Sequence, residues 1–164
     1  MSGIDVGPLA LTEPDLERYG RDIGAAALGG GVFVCLCGAL GAGKSTLARA
    51  ACRGAGVTGA VPSPTFTLVN QYEGRGGAIV YHADLYRVDS AEGLLDMGWE
   101  ALLQADGPVF VEWADRARGY LPVDRWDIRL DFVDDAALRL VSLRAYGAAP
   151  LIPQPAAAAE DRLW

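Results

Sequence analysis

Residues 33–50, FVCLCGALGAGKSTLARA, hold the one lysine of the chain. Lys and Arg number 14 in total and all the rest are arginine, so the choice of lysine at Lys44, between Gly43 and Ser45, is not explained by charge alone. The segment GALGAGKS (38–45) fits the pattern G-x-x-x-x-G-K-[ST]. Its flanks agree. VFVCLC (32–37) is a short apolar run of the kind that forms a strand buried on both faces, and KSTLARAACRGAG (44–56) reads as a helix closed by glycine. Glycines let backbone N–H groups curl around phosphate oxygens without a side-chain clash. A helix starting near Gly43 aims its free N–H groups and the positive end of its dipole at the same anion. Lys44 then reaches the outer phosphates as a compact charge on a thin stem, a task that suits a planar guanidinium less well. Ser45 offers a hydroxyl to Mg2+. These features read as a nucleotide phosphate loop.

Outward from the loop, residues 12–28 read as a helix, with Thr12 as its cap, Asp15 three residues on, and Leu16, Tyr19, Ile23 and Ala27 at helical spacing. VPSPTFT (61–67) contains two prolines and is expected to be an extended loop. FTLVNQY and AIVYHAD flank EGRGG as a hairpin, and SAEGLLDMGWEALL (90–103) is helical with an interruption at Gly98. VFVEWA (109–114) is a second buried-type strand. WDIRLDFV and LRLVSLRA alternate polar and apolar residues and are expected to pair antiparallel with one wet face. The expected fold class is α/β: a single P-loop NTPase domain over residues 1–146, with a mostly parallel central sheet, flanking helices and a C-terminal antiparallel hairpin. Residues 147–164, rich in Ala and Pro, are expected to be a mobile tail with a frayed Trp164.

Composition narrows the partners. The chain has 164 residues, 51% of them hydrophobic, which suits one domain with a sizeable core. A formal charge of −7 argues against holding a polyanion unaided, so any phosphate site must be local and shaped. No apolar run is long enough to span a membrane, and no signal peptide is visible at the start. Three cysteines without framework spacing suit a reducing cytoplasm, with Cys35 and Cys37 read as buried thiols on one strand.

ATP hydrolysis on such a loop needs a carboxylate near Mg2+, usually at the end of a buried strand. Asp84, after AIVYHA, and Glu112, after PVFV, are the two candidates. Either binds the metal or orients an attacking water. Thr65, within SPTFT (63–67), lies where many phosphate-loop enzymes keep a segment that senses the terminal phosphate. His82 is the one histidine and reads as a hydrogen-bonded strand residue rather than a base. Trp113, beside Glu112, is either core or a wall of the nucleotide pocket.

In this order, GALGAGKS, SPTFTLVNQY, VYHADLYR, VEWAD and a final LP before the closing hairpin resemble the TsaE family, small bacterial ATPases of the threonylcarbamoyladenosine tRNA-modification pathway. The resemblance runs from about residue 12 to residue 145. It implies ATP on Gly41, Ala42, Gly43, Lys44, Ser45 and Thr46, with the Thr12 region near the nucleotide. Ser45 and Glu112 would serve Mg2+, with Asp84 close by, Thr65 in a switch-like loop and Trp113 adjoining the site. The implied partners are TsaD and TsaB, with tRNA bound only through the assembly. Three positions depart from the family pattern. Ala39 stands where an acidic residue is common, Ser45 where threonine is, and Ala83 where an aromatic usually separates the histidine from the aspartate. The rival reading is a small-molecule kinase with DRAR (115–118) as a piece of lid. A guanine-reading N-K-x-D signature is absent.

Overall fold

The computed structural model describes residues 5–155. In chain order its strands are β1 Asp5–Thr12, β2 Phe33–Gly38, β3 Val69–Glu73, β4 Ile79–Asp84, β5 Val109–Glu112, β6 Arg125–Phe132 and β7 Leu138–Tyr146. Its helices are α1 Glu13–Gly30, α2 Lys44–Gly54, α3 Ala91–Asp96 and α4 Trp99–Leu103, with a 3₁₀ segment at Ala114–Tyr120. The strands form one seven-stranded sheet in the order β1-β7-β6-β2-β5-β4-β3. Its centre is parallel, β2 pairing with both β5 and β6, and β4 with β5. Its margins are antiparallel, β3 on β4 and the hairpin β6–β7 with β1 added outside. The expected α/β domain with a parallel centre and a closing hairpin is therefore present.

Each face of the sheet has its own core. On one, α1 and α2 cover Val34, Leu36, Phe110, Trp126, Ile128 and Leu130. On the other, α3, α4 and the 3₁₀ segment cover Cys35, Ala83, Val109 and Val111. Burial of β2, β4 and β5 on both faces explains their apolar runs. The wet face is left to β6 and β7, where Arg125 pairs with Asp127 and Arg129 with Asp131. α1 and α2 pack backbone to backbone. A Cβ added at Gly24 would lie 1.8 Å from the Ala51 carbonyl oxygen, and one at Gly54 2.0 Å from that of Arg21. Only glycine allows this approach, which fixes α2, and the loop before it, against α1.

Two segments differ from expectation. β1 is an additional strand, interrupted by Gly7 and Pro8 where its register shifts. It forms an edge of the sheet, where proline costs no ladder bond. The start of the 147–164 tail is also not loose. Ile152 is buried, the Trp126 indole Nε1 donates to the Pro150 carbonyl at 2.7 Å, and the Tyr19 hydroxyl donates to the Pro153 carbonyl at 2.8 Å. Residues 150–153 thus strap α1 to β6, and the mobile-tail expectation is corrected for this part. Trp164 lies outside the described residues.

Candidate functional site

The loop between β2 and α2 is built as its glycines require. Gly43, the residue before α2, has φ 110°, a left-handed region that favours glycine, and no side chain caps the helix. The first turn of α2 holds no acidic residue, whereas α1 carries Glu13 and Asp15 in its own. The free N–H groups at the start of α2 therefore have no carboxylate of their own helix competing for them. Lys44 is 4% exposed and folds back along the loop, its Nζ donating to the carbonyls of Gly38 at 2.6 Å and Ala39 at 2.7 Å. The ammonium also lies 4.0 Å from the centre of the Trp113 ring. Burial lowers the lysine's pKa, while the carboxylates of Glu112, Asp115 and Asp84 work against that fall.

The facing wall is built by strand register. Asp84 and Glu112 end β4 and β5 directly opposite each other, so both side chains come off the same face of the sheet. His82, two residues before Asp84, shares that face. Among the described residues, the buried polar or charged side chains are Lys44, His82 (0% exposed), Asp84 (6%) and Glu112 (1%), and all four meet here. Such groups are costly to bury unless paired, so their gathering at one place marks a site rather than a core. Ser45 Oγ donates to Glu112 Oε1 at 2.6 Å, and His82 Nε2 lies 2.6 Å from Glu112 Oε2. Asp84 Oδ1 accepts the Tyr86 N–H at 2.9 Å, and burial raises its pKa. Trp113 holds a left-handed backbone, φ 57° and ψ 37°, which carries its ring back over the lysine arm. The Tyr86 ring packs against it at 5.0 Å.

Between the walls is a cleft of about 350 Å³ lined by Leu40, Gly41, Gly43, Lys44, Ser45, Thr46, Ser63, Thr65, Asp84, Tyr86, Glu112 and Trp113. A larger hollow of about 810 Å³ lies on the open face of β6 and β7. It lacks the helix N-terminus, so the smaller cleft is the better anion site. Nine of the sequence candidates thus meet at one place. Ala42 is buried within the loop itself. Thr12 does not line the cleft. It caps α1, accepting the Asp15 N–H at 3.3 Å and donating its hydroxyl to Asp15 Oδ2 at 2.8 Å. Thr65 reaches the cleft from residues 57–68, its hydroxyl 3.3 Å from Ser63 Oγ.

Sequence reasoning left two neighbours out of the site. His82 was legible as a residue two before Asp84 on one strand, but its partner was not. Tyr86, in HADLYR, carried no signal beyond its motif. Among the described residues no three His, Cys, Asp or Glu side chains gather to hold a metal. A hydroxyl and a carboxylate 2.6 Å apart do fit Mg2+, which takes few protein oxygens and shares its shell with phosphates and water.

The model for "Threonylcarbamoyl adenosine biosynthesis protein TsaE" matches residues 11–139. The chain belongs to the TsaE family. Relatives carry the name tRNA threonylcarbamoyladenosine biosynthesis protein TsaE. That of Haemophilus influenzae is 41% identical over 105 residues, 64% of this chain and 66% of the relative. That of Streptomyces coelicolor is 37% identical over 118 residues, 71% of this chain and 78% of the relative. The fold is similar to a crystal structure of Bacillus subtilis YdiB, with a TM-score of 0.71 and 26% identity, covering 90% of this chain and 89% of the other. TsaE-family proteins take part in threonylcarbamoyladenosine biosynthesis. No helix among the described residues is long and apolar enough to cross a membrane.

Proposed function

We propose that this chain is a Mg2+-dependent ATPase of tRNA threonylcarbamoyladenosine modification, acting in the cytoplasm on a TsaD–TsaB complex to drive or reset its turnover. The observation that carries the reading is the meeting of Lys44, Ser45 and Glu112 at one cleft beside the uncapped start of α2. The triphosphate lies along the loop from Gly41 to Thr46. Lys44 exchanges the carbonyls of Gly38 and Ala39 for phosphate oxygens, and the N–H groups of the first turn of α2 take the rest of the charge. Ser45 and Glu112 would hold Mg2+, which when bound would supply positive charge against the phosphoryl oxygens. Asp84, opposite Glu112, would orient water beside the metal. Thr65 belongs to the segment that closes over the terminal phosphate, and Trp113 walls the cleft beside Lys44. ATP is favoured over GTP because N-K-x-D is absent and the one lysine stands in the loop. With a net charge of −7, tRNA is reached through the protein partners.

The test is reconstitution of the purified chain with TsaD, TsaB, substrate tRNA, ATP and Mg2+. Multiple rounds of modification are expected with the chain and a single round without it. Equal turnover in both would refute the role. Phosphate transfer to nucleosides or small acids, without stimulation by TsaD and TsaB, would instead establish the kinase reading.

A further inference from the structure

The Glu112 carboxylate is gripped from two sides, and the two grips differ in what a bound metal would do to them. Ser45 holds Oε1 at 2.6 Å, but Ser45 is itself assigned to Mg2+, so this bond is given up or redrawn when the ion arrives. His82 holds Oε2 at 2.6 Å from beneath, on a ring with no exposed surface. It lies one strand over, at a position whose backbone partner is Phe110, two residues before Glu112. Nothing about the arrival of a nucleotide requires that bond to break.

The tautomer follows from the partners. An ionised carboxylate only accepts, so Nε2 carries the proton it shares with Glu112. Nδ1 is buried and has no hydrogen-bond partner among the described residues. A bare nitrogen lone pair in that position costs less than an orphaned N–H, so the partners favour the tautomer with its proton on Nε2. The terminal torsion of a glutamate is broad and roughly two-fold when free. One fixed N–H on Oε2 removes that freedom and leaves Oε1 turned to Ser45 and the cleft.

We propose that His82 is a positioning residue, which fixes the Glu112 carboxylate through Oε2 so that Oε1 is presented to Mg2+. The inference rests on the Mg2+ reading of Glu112 given above. Its chemistry parallels that of residues behind a metal ligand, whose loss typically costs about 10- to 100-fold in metal affinity or activity.

Two arms test it. The first needs no nucleotide. Because His82 is the one histidine in the chain, its imidazole ¹⁵N spectrum is read without assignment. The ring is expected to be the Nε2–H tautomer with a strongly downfield proton, which is lost to exchange in Glu112→Ala. An Nδ1–H tautomer, or a histidine spectrum unchanged by Glu112→Ala, overturns the proposal. The second arm compares His82→Leu with His82→Gln, whose amide nitrogen reaches near the place of Nε2. In His82→Leu the Mg2+ concentration for half-saturation of binding a non-hydrolysable ATP analogue is expected to rise about tenfold. Its kcat is expected to fall by a similar factor, with KM for ATP within about twofold of wild type. His82→Gln is expected to recover most of both losses. If the two variants melt together and behave alike, or if His82→Leu behaves as wild type, the proposal fails. Should His82→Leu not fold, the spectrum and His82→Gln decide. Absence of Mg2+-dependent hydrolysis by the wild-type chain would count against the ATPase reading, while the spectrum still decides whether His82 holds Glu112.

Discussion

The two walls of the cleft are made by different means. One is a single stretch, residues 38–46, whose chemistry is mostly backbone: N–H groups at the start of α2, freed by glycine and left without a cap. The other is assembled from the ends of β4 and β5, which pair in register although nearly thirty residues separate Asp84 from Glu112. The first wall carries a movable part, since Lys44 now spends its protons on two loop carbonyls. The second is set in advance, with Glu112 bonded on both oxygens and 1% exposed. On the proposed reading an arriving phosphate would rearrange the lysine and find the Glu112 and Asp84 carboxylates already placed. Such preset groups need no reorganisation at the moment of reaction.

Breaking the movable wall should cost most. Lys44→Ala is expected to lower ATP turnover by about three orders of magnitude, because the outer phosphates lose their point charge. Lys44→Arg should be nearly as damaging despite its equal charge, since a fork of fixed donors does not fit where a thin stem threads between Trp113 and the loop. Steady-state hydrolysis and fluorescent-nucleotide binding measure both. Wild-type affinity in Lys44→Arg would remove the explanation offered for the lone lysine.

Breaking the preset wall should cost less and cost it differently. Glu112→Ala is expected to leave nucleotide binding largely in place and to slow hydrolysis by roughly two orders of magnitude. A wild-type rate in that variant would move the metal role to Asp84.

The same contrast governs what the sequence revealed. The loop was legible because its chemistry demands fixed spacing along one stretch, and Lys44 stood out against a background of arginine. Glu112 and Asp84 were legible as acids that end apolar runs, but the contact of Glu112 with His82 was not. That contact depends on which strands are neighbours, a fact that no local pattern carries. β1 was hidden by Gly7 and Pro8, which break the alternation that marks a strand. The segment 150–153 was hidden because its docking uses the carbonyls of Pro150 and Pro153, and backbone acceptors leave no trace in composition.

That strap gives the next effect in size, and it falls on stability rather than chemistry. Ending the chain at Tyr146 removes the buried Ile152 and the acceptors of Trp126 and Tyr19. Burying such a side chain contributes about 2 kcal/mol and each hydrogen bond about 1 kcal/mol, so a loss of about 3 to 4 kcal/mol is expected in denaturant titrations. Turnover per folded molecule should be unchanged, since none of these groups lines the cleft. A shortened chain as stable as the full one would restore the mobile-tail expectation for residues 147–155.

The smallest expected effect separates the two readings of Thr12. The family resemblance implies that the Thr12 region lies near the nucleotide, whereas the geometry spends this hydroxyl on Asp15 at the head of α1. Thr12→Ala is expected to cost about 1 kcal/mol of stability, as the loss of a helix cap does, and to leave KM for ATP unchanged. The pH dependence sharpens the distinction. The hydrogen bond from Thr12 is the largest influence on Asp15 and lowers its pKa below the usual 3.8. A carboxyl with a lowered folded-state pKa contributes stability that is present above its unfolded pKa and lost as pH falls through its folded one. The gap between wild type and Thr12→Ala should therefore be widest near neutrality and narrow in acid, retaining only the part due to the Asp15 N–H bonded to the hydroxyl. Thr12→Ser should restore both stability and its pH profile. A variant that keeps its melting temperature but loses ATP affinity would place Thr12 at the nucleotide and count against the capping account.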